Sequence, residues 1–395
     1  MYFNLHSGKK IFIQNKSFQF IFVVFLISLG LGIFDAIFSL YLENILKDPS
    51  LVGFVSAIIT MIMFFTYLFL TQMYSKYPVT HVWLVSTLLM GFCLFLLYFF
   101  SQIIIFTILI GLVVISMTLH FNTTAIILRH SSTLENIGKI QGYYYTFRNI
   151  GWVIGPLISS FILYKFGLLN NFLAIGFFIF SGWLLFLYYQ IKAYEENKPQ
   201  TISLKSIRQN IVDYFRNKEL FKLYFLRGAL SLYWSVFYIF TPLYILYNGL
   251  SISFVGIFLG VATIPVVIIE YFIAKKIDVI LKRELFITGS FLISLFLVLA
   301  FVFNGYIYLS LIFILLSIIG AGFLEPTCET YFFNNVNQFI ADRYYGVYRT
   351  SDSLFSLTSR LFFGFILLFL KIKFIYLFTG IFFILIYFIS KNIKN

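Results

Sequence analysis

Cysteine is almost missing from this sequence, and so are clustered histidines and any phosphate-cradling loop. The two cysteines, Cys93 and Cys328, lie in separate apolar stretches without metal-ligand spacing, so they give no metal site and no statement about redox compartment. The four histidines, His6, His81, His120 and His130, do not gather with acids or cysteines into a metal or triad arrangement. No GxxxxGK[ST] segment occurs. These absences argue against an enzyme and leave no cofactor to expect. Nor is there a nucleotide site from which the chain could power a process of its own.

Charge is the other shortage. Only 11% of the 395 residues are charged and 61% are hydrophobic, where a soluble domain carries about a quarter charged. The solvent for most of the chain is therefore lipid. A bilayer core about 30 Å thick needs roughly 20 apolar residues in helical form, because every backbone N–H and C=O must be satisfied within the segment. The alternating ten-residue strands of a membrane barrel are absent. The net charge of +13 does not indicate nucleic acid, because the basic residues sit in short loops between apolar runs and form no soluble basic face.

What is present is a series of apolar runs near 18–41, 51–73, 82–100, 103–127, 141–164 and 171–190, then 220–247, 253–275, 285–303, 306–331, 344–370 and 374–390. Twelve transmembrane helices are expected, in two pseudo-symmetric six-helix bundles at 1–191 and 220–395. A polar linker at 192–219 joins them, with Pro199 as a breaker. The run after Lys9, Lys10 and Lys16 is too long for a signal-peptide core and reads as a retained first helix. Outer loops hold only Lys47, Lys165, Lys371 and Lys373, whereas the inner segments hold Lys9, Lys10, Lys16, Lys76, Arg129, Lys139, the linker cluster, Lys275, Lys276, Lys282, Arg283, Arg343, Lys391 and Lys394, which predicts both termini in the cytoplasm and a multi-pass plasma-membrane protein. Residues Leu40, Tyr41, Val52 and Gly53 fall on Leu243, Tyr244, Val255 and Gly256 at a spacing of 203. Gln141, Gly142 and Thr146 fall on Tyr345, Gly346 and Thr350 at 204, which points to duplication.

The sharpest local pattern is Gly142, Gly151, Gly155 and Pro156 on the fifth run, followed by Ser159 and Ser160. Gly151 and Gly155 form a GxxxG face for close helix approach, and Pro156 permits a bend. The spacing resembles the fifth-helix antiporter motif of the major facilitator superfamily, with Ser159 and Ser160 in place of its final glycines. The resemblance implies proton-coupled solute efflux by alternating access. A second signature of that family, a loop of Gly, acid and basic residues, is kept in part: Ala274 stands for the Gly, with Asp278, Lys282 and Arg283 as a loop latch. In the first half Thr71, Ser75 and Lys76 occupy those places and the acid is gone.

A charged side chain near a helix centre costs about 2.5–3.5 kcal/mol on insertion scales, so those that occur mark cavities and function. Asp35, after Gly30 and Gly32, is a candidate cation or proton site. Glu325 and Glu329 flank Pro326 at i, i+4 spacing, so one of the two is favoured protonated, as a proton-coupled carrier requires. Arg360 is the expected counter-charge. Arg148, beside Asn149, is a substrate or gate candidate, and its repeat equivalent is Asp352, which makes an Arg148–Asp352 bridge a second reading. Arg349 is expected to reach for the interface. His120 is either a proton relay or a histidine that has found a hydrogen-bond partner. The expected partners are protons, membrane lipid and a small solute, with no nucleic acid and a monomeric chain. Uptake of an organic anion is the alternative direction, and a ligand-binding or lipid-scrambling protein is the alternative class.

Overall fold

The computed structural model describes residues 5–100, 102–130, 137–191, 204–276, 281–336 and 338–394, and among them there is no strand. The helices are α1 (Leu5–Leu46), α2 (Pro49–Lys76), α3 (Val79–Leu96), α4 (Ile103–His130), α5 (Ile137–Phe166), α6 (Asn170–Tyr188) and α7 (Leu204–Arg216). After them come α8 (Lys218–Ser235), α9 (Thr241–Tyr247), α10 (Ile252–Lys276), α11 (Lys282–Val302), α12 (Ile307–Asn335), α13 (Gln338–Leu367) and α14 (Phe374–Lys391). A single π-turn, Val236–Phe240, joins α8 to α9 in one rod. Pro242 explains it, because a proline has no N–H to give and its ring crowds the carbonyl four residues earlier, so the ladder widens there.

Each of the twelve apolar runs lies on one of these rods. Eleven described helices are long and apolar enough to cross a membrane. The remaining run, 344–370, lies on α13, whose Arg349, Asp352 and Arg360 lower its hydropathy. The linker adds an element that hydropathy does not display, the amphipathic α7. Helix lengths recur between the halves: α5 and α13 have 30 residues each, α4 and α12 have 28 and 29.

The chain forms two compact units, Met1–Ile37 with Phe65–Thr201, and Phe38–Phe64 with Ile202–Asn395. In the first, Trp83 is fully buried, stacks on Phe186 at 4.0 Å and donates its indole N–H to Thr124 Oγ1 at 2.8 Å. Here α1 and α5 meet through glycine. A Cβ on Gly32 would stand 2.9 Å from the Gly151 carbonyl, and one on Gly155 would stand 2.7 Å from the Leu29 carbonyl. No side chain fits between backbones that close. Pro156, Ser159 and Ser160 are buried along the same helix.

The second unit gathers the end of α1, the α1–α2 turn and the start of α2 against α13. Ser50 Oγ donates to the Gly364 carbonyl at 2.8 Å, and a Cβ on Gly53 would meet Gly364 Cα at 2.8 Å. On α13, one turn before Gly364, Arg360 donates to the Ser56 carbonyl at 3.0 Å and to Ser235 Oγ at 3.2 Å.

Candidate functional site

The densest charge in the membrane-spanning part lies inside the second unit, on α8, α12 and α13. Arg227 Nε donates to Asp352 Oδ1 at 2.7 Å and its Nη2 to Oδ2 at 3.3 Å. Arg349 comes from one turn before Asp352 on the same helix, with its Nε 3.3 Å from Asp352 Oδ2 and its Nη1 3.3 Å from Glu329 Oε1. Arg227 Nη1 stands 3.8 Å from the same Glu329 oxygen. Two guanidiniums and two carboxylates therefore form one closed ring of pairs.

Helix periodicity sets this geometry. Residues 349 and 352 share a face of α13 at i, i+3, so Arg349 meets Asp352 along the helix while Asp352 meets Arg227 of α8 and Arg349 meets Glu329 of α12. The Arg227 and Asp352 side chains are only 11% and 12% exposed. At that burial the mutual attraction has to offset desolvation, and the two-point fork between guanidinium and carboxylate is the arrangement best able to do so. Ser231 Oγ donates to the Asp352 carbonyl at 2.7 Å, and Tyr224 Oη lies 3.1 Å from Thr350 Oγ1, which fixes α8 and α13 in register on either side of the ring. Glu325, one turn before Glu329 on α12, lies within electrostatic reach of Arg227.

Several expectations change here. The cations beside Glu329 are Arg349 and Arg227. Arg349 turns into the network and does not reach for an interface, because Glu329 and Asp352 offer it two carboxylates at contact distance. Asp352 takes its partners from within its own unit. Arg360, expected beside the α12 acids, is drawn to Ser235 and Ser56. Arg227 is absent from the sequence-derived candidates although its signal is plain: it is an arginine inside an apolar run.

In the first unit, the α1–α5 glycine crossing brings Asp35 to Trp152, whose indole N–H donates to Asp35 Oδ2 at 2.8 Å. The Arg148 guanidinium lies 4.9 Å from the ring centres of both Tyr145 and Trp152, 5.7 Å from Tyr144, and donates to Asn149 Oδ1 at 3.4 Å. Arginine over aromatic faces is stabilised by the ring quadrupole, most of all away from water. His120 is buried, with Nδ1 2.8 Å from Thr87 Oγ1 and its ring 5.3 Å from that of Trp83. Gly142 is part of α5. Of the loop-latch residues, Asp278 lies outside the described residues, and Lys282 and Arg283 open α11.

The sequence model of the Major Facilitator Superfamily matches residues 20–359. No curated protein matches the chain in sequence. Among solved structures, a POT family transporter in complex with a thioalcohol-conjugated peptide is similar over 94% of each chain, at 12% identity and a TM-score of 0.78. A D-xylose-proton symporter is similar over 95% of this chain and 98% of its own, at 13% identity and a TM-score of 0.74. A peptide transporter POT in complex with sulfate covers 95% of this chain and 92% of its own, at 10% identity and a TM-score of 0.75. With the family's pattern running through residues 20–359 and its fold reproduced along nearly the whole chain, this protein belongs to the Major Facilitator Superfamily and is a transporter, not an enzyme.

Proposed function

We propose that the chain is a proton-coupled symporter of a small organic anion in the cell membrane, acting as a monomer, with Glu329 as the proton site. The observation that carries this is the sharing of Glu329 Oε1 between Arg349 at 3.3 Å and Arg227 at 3.8 Å. Asp352 keeps hold of both arginines at shorter or equal distance, so Glu329 is the weaker anchor of the ring. Protonating Glu329 removes one negative charge and leaves the arginine pair in surplus by one. An anionic group of the solute restores the balance. Proton and anion then load together, which is symport. The peptide carriers and the sugar–proton symporter of the same fold support the reading by analogy.

Efflux in exchange for protons, which the fifth-helix resemblance implies, is the second reading. Glu325 favours it, because with that acid ionised the cluster carries an excess negative charge suited to a cationic solute. The two readings separate in proteoliposomes holding purified protein. With an acidic exterior, symport drives labelled organic anions inward, and Glu329→Gln removes the drive. Accumulation of lipophilic cations in acid-loaded vesicles, with no response to any anion, would replace symport by antiport.

A further inference from the structure

Three protic side chains lie buried between α7 and the charge ring. Tyr214 on α7, Cys328 on α12 and Tyr348 on α13 are each 0% exposed. Among the described residues, neither Tyr214 Oη nor Tyr348 Oη has a hydrogen-bond partner. Tyr214 lies within electrostatic reach of Cys328, and Tyr348 within reach of Cys328, Glu329 and Arg227. The rings are held firmly: Tyr348 stacks on Phe332 at 4.7 Å, and Tyr214 meets Tyr224 at 6.2 Å and Tyr344 at 5.9 Å, edge to face.

A buried hydroxyl left unsatisfied is costly, and a phenylalanine would fill the same volume without that cost. Buried polar groups of this kind are ordinarily met by internal water or belong to a functional path. Two such hydroxyls, each within electrostatic reach of the Cys328 thiol, with the Glu329 carboxylate within reach of Tyr348, set exchangeable protons at steps that internal water can bridge.

We propose that Tyr214, Cys328 and Tyr348 carry protons, with intervening water, between the membrane face that bears α7 and Glu329. The inference rests on the reading of Glu329 as the proton site and adds its route. Each member accepts a proton on a lone pair of oxygen or sulfur as it releases its own. Only O–H and S–H bonds form and break, nothing is oxidised or reduced, and the proton that enters at Tyr214 ends on a Glu329 oxygen, cancelling one negative charge of the ring.

The test needs no solute. In the purified full-length protein, a drop in pH is followed by time-resolved infrared spectroscopy of the carboxylic-acid band that Glu329→Gln removes. Tyr348→Phe and Tyr214→Phe should each slow the rise of that band about a hundredfold or more, in the range expected for loss of a positioned proton donor. The rise in the unmodified protein should be slower in D2O than in H2O, a readout that needs no variant. Unchanged rates in both folded variants, together with higher melting temperatures, would mean that the hydroxyls are only an uncompensated burden, and would overturn the path. A D2O rate equal to that in H2O would do the same. If the unmodified protein shows no band that depends on Glu329, the proton site itself fails and the path falls with it.

Discussion

Arg227 and Asp352 are tied at two points, 2.7 Å and 3.3 Å, across the contact between α8 and α13. A fork of this kind fixes both the distance and the rotation of the two helices, since neither can turn without breaking a charge-assisted bond. Removing one partner leaves the buried ring with one charge in excess. Arg227→Gln and Asp352→Asn should therefore each destabilise the protein by about 3–5 kcal/mol, whereas the double variant, which buries no lone charge, should recover most of that loss. Thermal unfolding in detergent with a double-mutant cycle measures it, and additive losses would show that the pair is not coupled.

Glu329→Gln leaves a polar side chain of the same size in the ring but cannot exchange a proton. The expected outcome is loss of proton-driven accumulation with solute–solute exchange kept, because exchange returns the carrier without a change of protonation. Counterflow and pH-driven uptake, assayed side by side, separate the two. Equal loss of both would assign Glu329 to solute binding or to folding.

The indole N–H of Trp152 reaches the Asp35 carboxylate at 2.8 Å. Trp152→Phe should cost about 1.5–3 kcal/mol if Asp35 is ionised, the worth of a hydrogen bond to a charge, and Asp35→Asn should shrink that cost. The comparison is made by thermal unfolding in both backgrounds. A cost unchanged by Asp35→Asn would point to lost packing of the ring and not to the bond.

At the α1–α5 crossing, a Cβ on Gly151 would stand 2.6 Å from Ser28 Cβ and 3.0 Å from the Ser28 backbone. Gly151→Val should force the two helices apart at about 1–3 kcal/mol and move Trp152 off Asp35. Reduced melting temperature together with loss of the Asp35-dependent part of the Trp152 effect is the expected pair of results. A variant as stable as the parent would show that this crossing is looser than its distances imply.

His120 already has Thr87 as its partner at 2.8 Å and rings on two sides. His120→Gln keeps a hydrogen-bonding group there and should leave the pH profile of transport in place, with a modest loss of stability. A displaced pH profile would return His120 to the proton relay.

Much of the architecture is legible in the amino-acid sequence, because a bilayer allows so few solutions. A run such as 344–370 must be helical to satisfy its own backbone, so most of the twelve rods can be read within a few residues of their ends, although α1 starts at Leu5, well before its apolar run. The turn from α1 into α2 and the joint between α5 and α6 fall where Lys47, Pro49 and Gly167 interrupt the apolar pattern. The glycines of α5 are legible too, since small residues four apart have one main use between helices. Helix α7 is not, because in a linker a face that buries Tyr214 against Tyr224 and Tyr344 is visible only once those residues are brought to it.

The charges show where sequence reading stops. Hydropathy singles out an ionisable residue in an apolar run, and so Asp35, Arg148, Glu325, Glu329, Asp352 and Arg360 can be found one by one. It says nothing of which acid meets which cation. Arg227 and Asp352 are 125 residues apart in the chain and are joined only by how α8 and α13 rotate against each other. Composition and periodicity determined the solvent and the helices, and the motif of Gly142, Gly151, Gly155 and Pro156 carried the family resemblance. Tertiary packing alone decided that Arg227 and Arg349 hold Asp352 and share Glu329, since in a low-dielectric interior a few ångströms of side-chain placement separate a costly lone charge from a closed ring of pairs.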